Sequence, residues 1–234
     1  TTALSIDDWT YGETASQPEC SAKYGIVTYL YSDSENGTYN ETQPTQAGTY
    51  YVKAKVAGTD DYDEIISTPV KFTIHKAKVT IAADDISTAY GAELAELTYQ
   101  VSGKVKAGDN LGIQLETEAT ETSPAGEYSI TIKYSENPNY EITVINGTYI
   151  ITADAGRLQV TAGGYQGTYD GQPHGIEVTA AGAENVVIYY SESELNDANY
   201  GSGSTENPVM TDAGSKTIYY YVTADNCRPV SGSK

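Results

Sequence analysis

The densest chemistry in this chain is Asp60-Asp61-Tyr62-Asp63-Glu64, four carboxylates in five positions. Hard oxygen ligands of this kind suit calcium, so Asp60, Asp61, Asp63 and Glu64 are a candidate metal site. The run lacks the Asp-x-Asp-x-Asp-Gly spacing of a calcium loop, which makes a solvated acidic turn the simpler reading. Two histidines, His75 in a junction and His174 beside Pro173 in a turn, lie far apart in the chain. Neither forms a Ser/His/Asp or Cys/His grouping in the sequence. With 32 acidic residues, almost any pair could be drawn as a glycosidase dyad, so such a pair carries no information. Lys78 and Asn146, near a first and a last strand, are candidates for an isopeptide crosslink, but no catalytic carboxylate pattern accompanies them. Cys20 and Cys227 set up no disulfide framework and read as packed small apolar residues. No enzyme activity and no cofactor are expected.

The remaining chemistry is aromatic. Tyr occurs 22 times, whereas Phe72, Met210 and Trp9 are each single of their kind. Trp9, Tyr31, Tyr51, Tyr190, Tyr200 and Tyr220 are candidate faces for stacking on a sugar or a host protein. Neighbouring tyrosines on a strand point to opposite sheet faces, so each pair should divide between core and surface. Trp9 lies in a turn and is more simply a packing residue.

The elements that must carry these residues repeat. Gln43-Pro44-Thr45-Gln46-Ala47-Gly48-Thr49-Tyr50, Pro124-Ala125-Gly126-Glu127-Tyr128 and Thr211-Asp212-Ala213-Gly214 each read as a tight turn feeding a strand of β-branched and aromatic residues. Tyr11, Tyr90 and Tyr169, each in a Tyr-Gly or Tyr-Asp-Gly turn, are evenly spaced along the chain. Tyr62 and Tyr140 follow Gly48 and Gly126 at one and the same separation, and Cys227 follows Gly214 one position short of it. A period of roughly 80 residues is that of a small domain, too long for a solenoid repeat. Residues 1–75, 76–154 and 155–234 are therefore expected to be three β modules. The third is expected to lack the end of its last strand, and the chain reads as a fragment whose targeting and anchoring parts lie elsewhere.

Strands are expected at 25–31, 49–56, 65–74, 79–81, 97–101, 112–118, 127–134, 140–145, 148–151, 158–161, 176–179, 186–190 and 216–223. Ala92–Glu96 has room for one helical turn. Asn36-Gly37 and Asn146-Gly147 are hairpin signals. Residues 192–207 read as a surface loop where specificity or drift can reside. The junctions at residues 75–78 and 154–157 are short, which predicts semi-rigid joints. All of this places the chain in the all-β class, as three tandem immunoglobulin-like sandwiches in a rod, with β-grasp-like sheets as the alternative.

The net charge of −19 argues against nucleic acid, because phosphate binding needs clustered Lys and Arg and only 13 are present. It also repels acidic membranes and sulfated glycans. No apolar run approaches the roughly 20 residues of a membrane helix, so no membrane contact by this stretch is expected.

The motifs Ala-Tyr-Gly-Ala at 89–92, Leu-Thr-Tyr-Gln-Val-Ser-Gly at 97–103, Ser-Pro-Ala-Gly-Glu-Tyr at 123–128 and Asn-Gly-Thr-Tyr-Ile-Ile at 146–151 resemble the MBG (YGX-type) and YDG-type repeats of bacterial surface proteins. Trp-Thr-Tyr-Gly and Ala-Gly-Thr-Tyr-Tyr-Val in the first module are similar. The third departs most, with Tyr-Asp-Gly-Gln-Pro-His and with Cys227 where Tyr is usual. The resemblance implies an extracellular protein, cell-surface or secreted, in which such modules form a stalk of an adhesin-like molecule. Their expected partners are neighbouring modules of the same chain. The alternative it implies is a module that binds mucin glycan or an extracellular host protein.

Overall fold

The computed structural model describes residues 2–234. In chain order the strands are β1 (Trp9–Thr10), β2 (Val27–Ser32), β3 (Gly48–Val56), β4 (Ile65–Ile66), β5 (Val70–His75), β6 (Ala77–Ala83), β7 (Ile86–Ala89), β8 (Tyr99–Gly103) and β9 (Gln114–Thr117). They continue as β10 (Gly126–Lys133), β11 (Tyr140–Ile145), β12 (Gly147–Thr152), β13 (Gln159–Gly163), β14 (Glu177–Ala181), β15 (Val187–Ser191), β16 (Tyr219–Thr223) and β17 (Val230–Ser233). The fold is all-β. Among the described residues the one helical element is a 3-10 turn at Tyr200–Ser202, and the turn expected at Ala92–Glu96 does not form. No helix among them is long and apolar enough to cross a membrane.

The chain divides into two compact units. The first holds the chain up to Asp84 together with Leu97–Glu116 and Ile130–Gly147; the second holds Asp85–Glu96, Thr117–Ser129 and Thr148–Lys234.

In the first unit β3 is central to one sheet. It pairs antiparallel with β2, where Tyr31 faces Val52, and with β5, where Tyr50 faces Phe72. On the far side of β5, β1 pairs in parallel, with Trp9 opposite Ile74. A second sheet has β6 between β8, antiparallel, and β11, parallel. The alternation is read directly from the chain: Val52, Ala54 and Val56 on β3 are buried while the residues between them are half-exposed. One cluster of buried side chains joins Trp9, Val52, Phe72 and Ile74 to Ala77, Val79, Ile81 and Tyr140, so it draws on both sides of His75. Side chains as enclosed as Phe72 and Ile81 contribute on the order of 2–3 kcal/mol each.

In the second unit β7 pairs in parallel with β12, β13 with β14 antiparallel, and β16 lies between β15 and β17. Leu158, Val222 and Cys227 form one buried cluster, and Ile176, Tyr190 and Ile218 another.

One expectation about connections needs correction. Asn146-Gly147 is not a hairpin turn, because β11 pairs with β6 and β12 with β7, both in parallel. Gly147 is required there by a close approach: a Cβ would lie 2.9 Å from the carbonyl oxygen of Asp84 and 3.0 Å from that of Ala83. The 192–207 segment is a surface loop, mostly exposed, that is tethered to the sheet beneath it. It buries Leu195 and lays the Tyr200 ring on Tyr221, centroids 4.9 Å apart and nearly coplanar. The Tyr221 hydroxyl donates to the Asp197 carboxylate, and Tyr190 and Ser204 exchange backbone bonds of 2.7 and 2.9 Å. The Asn36-Gly37 turn does form, closed by backbone bonds between Tyr31 and Asn40.

Candidate functional site

The most organised polar geometry in the first unit lies where β5 passes into β6, around His75, the stretch that the sequence reading expects to join two modules and that lies inside one compact unit. Three hydrogen bonds define it. The Tyr11 N–H donates to the His75 carbonyl at 2.8 Å, and the Ala77 N–H to the Asn139 carbonyl at 2.9 Å. The Asn139 side-chain oxygen accepts from the Ala47 N–H at 2.8 Å. Asn139 is buried, and its amide nitrogen donates to the Gln46 side chain. Tyr11, Ala47 and Asn139 each lie at a repeat landmark, namely the Tyr-Gly turn, the Ala-Gly turn and the residue before Tyr140, whereas His75 and Ala77 come from the strand ends between them.

A carboxylate reinforces the junction. Asp109 Oδ2 accepts from the hydroxyls of Tyr140 at 2.6 Å and Tyr11 at 2.9 Å, while the Lys106 N–H donates to the Tyr140 oxygen at 2.9 Å. The two rings meet edge to face at 5.5 Å, and the Lys106 ammonium stands 4.8 Å from the Tyr11 ring centre. The Tyr140 hydrogen bond, with help from Tyr11 and Lys106, holds the Asp109 carboxyl below its usual range. Burial and then the Asp109 hydrogen bond push Tyr140 up to about 12, and burial first also raises Tyr11. Such a group binds protons tightly on the two phenols and resists ionising them. Its chemistry is that of a fastener, with no nucleophile exposed.

The second unit holds the same three bonds around Asp154, the other stretch that the sequence reading expects to join two modules. The Tyr90 N–H donates to the Thr152 carbonyl at 2.8 Å, and the Asp154 N–H to the Asn226 carbonyl at 2.9 Å. Asn226 Oδ1 accepts from the Ala125 N–H at 2.8 Å. Here Cys227 stands where the first junction has Tyr140, and the Arg157 guanidinium lies 5.6 Å from the Tyr90 ring centre.

Residues 79–152 match the family model of the MBG domain (YGX type). No curated protein matches the chain. Among solved structures, a similar one is titled "Structures of Clostridium thermocellum CbhA fibronectin(III)-like modules". It is 14% identical, covers 64% of this chain and 94% of that one, and has a TM-score of 0.25. The MBG match begins within β6 and ends with β12, so it contains Asp109, Asn139 and Tyr140 of the first junction and Tyr90 and Ala125 of the second.

The sugar-stacking candidates are mostly occupied. Trp9 is buried with its ring stacked on Phe72 at 5.3 Å, and Tyr31 is buried with its ring edge-on to the same residue at 6.3 Å. Tyr190 belongs to the Ile176 and Ile218 cluster, Tyr220 packs against that cluster and the one around Val222, and Tyr200 is covered by Tyr221. Tyr51 is half-buried. Rings the sequence reading passed over are more open: Tyr24 and Tyr62 stack at 4.9 Å while about half exposed, and Tyr165 and Tyr169 are 50% and 66% exposed. Tyr165 and Tyr169 flank Gly167 in a Gly-rich stretch, a signal the sequence did carry.

The calcium candidates do not converge. Asp60 and Asp61 form the tip of a turn closed by Thr59 and Tyr62, and Glu64 pairs with Lys55 at 2.9 Å. Among the described residues no three His, Cys, Asp or Glu side chains gather at a metal-holding distance. Nor do Lys78 and Asn146 meet. Lys78 is opposite Glu141, and Asn146 lies further along that strand's path, about 16 Å away at the rise of a strand. His75 faces Asp8 at 3.4 Å on the surface, and His174 bonds Asp170 at 3.0 Å while stacked on Tyr165.

Proposed function

We propose that residues 1–75, 76–154 and 155–234 are three non-catalytic β modules acting as a structural stalk or spacer in a bacterial surface or secreted adhesin-like protein. The observation that carries this reading is the recurrence of one set of hydrogen bonds at both expected boundaries, each bond having one partner at a repeat landmark: Tyr11, Ala47 and Asn139 in one set, Tyr90, Ala125 and Asn226 in the other. A joint tied by two backbone bonds and an Asn side chain, buried at Asn139 and half-buried at Asn226, resists rotation, and resistance to rotation is what a spacer needs in order to hold a distal region away from a surface. The acidic surface keeps such modules apart in solution.

The rival reading, a module binding mucin glycan or a host protein, has less support, since Trp9, Tyr31 and Tyr190 are buried. Small-angle scattering tests the spacer. An end-to-end row of three β domains of about 8-residue strands extends on the order of 100 Å, giving a radius of gyration of roughly 30 Å. A sphere of this chain length has about 17 Å. The smaller value would sink the proposal.

A further inference from the structure

The chain holds three Asn-x-Thr triplets, the pattern at which an asparagine carboxamide takes a sugar: Asn36-Gly37-Thr38, Asn40-Glu41-Thr42 and Asn146-Gly147-Thr148. The fold treats them differently. The first two share the connection from β2 to β3, where every residue from Asp33 to Thr38 and from Asn40 to Thr42 is exposed. Between them only Tyr39 is partly covered, its hydroxyl donating to the Glu35 carbonyl at 2.9 Å and its ring lying 4.1 Å from the Lys53 ammonium. Tyr39 thus pins the connection and leaves both asparagines facing solvent.

The bonds that hold these two triplets spare the reactive atom. Asn40 exchanges backbone bonds of 2.6 and 3.0 Å with Tyr31, and beside Asn36 the Gly37 N–H donates to the Ser34 carbonyl at 3.1 Å. The Thr42 N–H donates to Asn40 Oδ1 at 2.8 Å, an Asx turn that folds the threonine of the triplet back onto its carboxamide. That bond occupies the oxygen; the nitrogen Nδ2, which would take the sugar, bonds to no protein group among the described residues.

At Asn146 the same triplet is closed off. Gly147 is buried and sits tightly against the Asp84 and Ala83 carbonyls. The Thr148 N–H donates to Asp85 Oδ1 at 2.7 Å, so it does not turn back onto Asn146, whose own Oδ1 accepts from the Ile132 N–H at 3.4 Å. The triplet runs directly from β11 into β12, and each of these strands is held in a parallel pair. Drawing it into a turn would require opening that pairing.

We propose that Asn36 and Asn40 are N-linked glycosylation sites of the folded chain and that Asn146 is not. At each site Nδ2 attacks the anomeric carbon of a sugar carried on a diphosphate leaving group. The new C–N bond replaces the sugar's C–O bond, the diphosphate departs, and a base of the transferase takes the amide proton. Asn40 is paired to β2, the outermost strand of its sheet, so a bulky polar sugar there stands beside an open strand edge and shields it from further pairing. The inference stands whether or not the chain serves as a stalk.

In the test, the folded 234-residue chain and peptides of residues 30–44 and 140–152 are each treated with a soluble Asn-x-Thr N-glucosyltransferase and UDP-glucose, and occupancy is read by peptide mass spectrometry. The peptides should be glucosylated alike, whereas in the folded chain Asn36 and Asn40 should fill about tenfold faster than Asn146, which must wait for local opening. Thr42→Ala should empty Asn40 and leave Asn36 filled. Peptide maps of the protein recovered from the cells that make it should show sugar at the same two positions. Glucose on Asn146 of the folded chain at the rate of Asn40 would overturn the proposal, as would bare Asn36 and Asn40 in the recovered protein.

Discussion

The two junctions share a backbone and differ in their fastening. At the first, two tyrosine hydroxyls converge on Asp109, whereas at the second Cys227 takes the place of Tyr140 and no carboxylate is bracketed in this way among the described residues. Yet the Asn side chain and the two backbone bonds are present in both, at matching distances. The difference separates what the landmark motifs encode from what each junction adds. The Tyr-Gly, Ala-Gly and Asn landmarks supply the lock: the Asn side chain joins the Ala-Gly turn, and the Tyr amide and the Asn carbonyl each take one backbone partner from the adjoining strand ends. The phenol-carboxylate bracket is local reinforcement, made of Asp109 with Tyr11 and Tyr140, and of the three only Asp109 lies in no landmark.

The comparison is broken most forcefully at Tyr140. Tyr140→Ala removes a buried ring, its contact with Tyr11 and one of the two donors to Asp109, and should destabilise the first unit by about 3–5 kcal/mol. Cys227→Ala deletes only a sulfur from the Leu158 and Val222 cluster and should cost the second unit about 1 kcal/mol. Chemical denaturation of each variant, followed by amide exchange to attribute the loss to one unit, reads the contrast. Equal losses would mean that the bracket adds nothing beyond volume.

How far the sequence foretold these two sets of bonds depends on whether the information was local. Alternation of apolar and polar residues marked most strands but not β1, β7 or β17, and the Tyr and Gly spacings marked Tyr11, Tyr90, Ala47, Ala125 and the residues next to Asn139 and Asn226. What failed was partnership. Asn146-Gly147 has the composition of a hairpin turn, but β11 and β12 pair instead with β6 and β7, far upstream in the chain, and parallel pairing over such a distance leaves no local signature. The aromatic rows failed for a related reason. Alternation shows that two tyrosines face opposite ways, yet on β15 and β16 the outer face is itself covered by the 192–207 segment, so facing outward does not mean exposure. Asp109 was invisible because it lies in no landmark and becomes notable only when Tyr11 and Tyr140 close on it.

Next in size is the lock itself. Asn226 holds a φ of 56°, a left-handed conformation that Asn tolerates and Ala resists, whereas Asn139 has no positive φ. Asn226→Ala should therefore cost about 2 kcal/mol, combining the lost bond to Ala125 with backbone strain. Asn226→Gly should recover the strain part. At Asn139 the same pair should behave differently, with Gly no better than Ala. Faster exchange at the Ala125 and Ala47 amides is the direct readout; a glycine rescue at both sites would remove the distinction.

The bracket can be sharpened by pH. Because the folded pKa of Asp109 is lowered, its contribution is present above the unfolded carboxylate range and lost as pH falls through the folded value. Tyr140 has the opposite sense: raised from 10.0 to about 12, it contributes fully below 10 and loses that contribution as pH climbs toward 12. Tyr140→Phe removes the hydroxyl at a cost of about 1 kcal/mol at neutral pH. It should also flatten the stability of the first unit in both windows, and an unchanged pH profile would show that the hydroxyl is not the group titrating.

The smallest effect is expected at Arg157, whose guanidinium over Tyr90 is the second junction's nearest analogue to Lys106 over Tyr11. Neither cation is buried, so the ring contact is worth about 0.5 kcal/mol. Arg157 has one further tie, its Nε–H donating to the Gly182 carbonyl at 3.2 Å, which Lys106 does not share. Arg157→Lys should therefore keep the cation and forfeit that bond, leaving the Tyr90 amide protected but the Gly182 region more open to exchange. If Arg157→Lys instead loosens the Tyr90 amide as much as Arg157→Ala does, the guanidinium plane is the fastener, and the second junction has its own substitute for the bracket that Cys227 cannot provide.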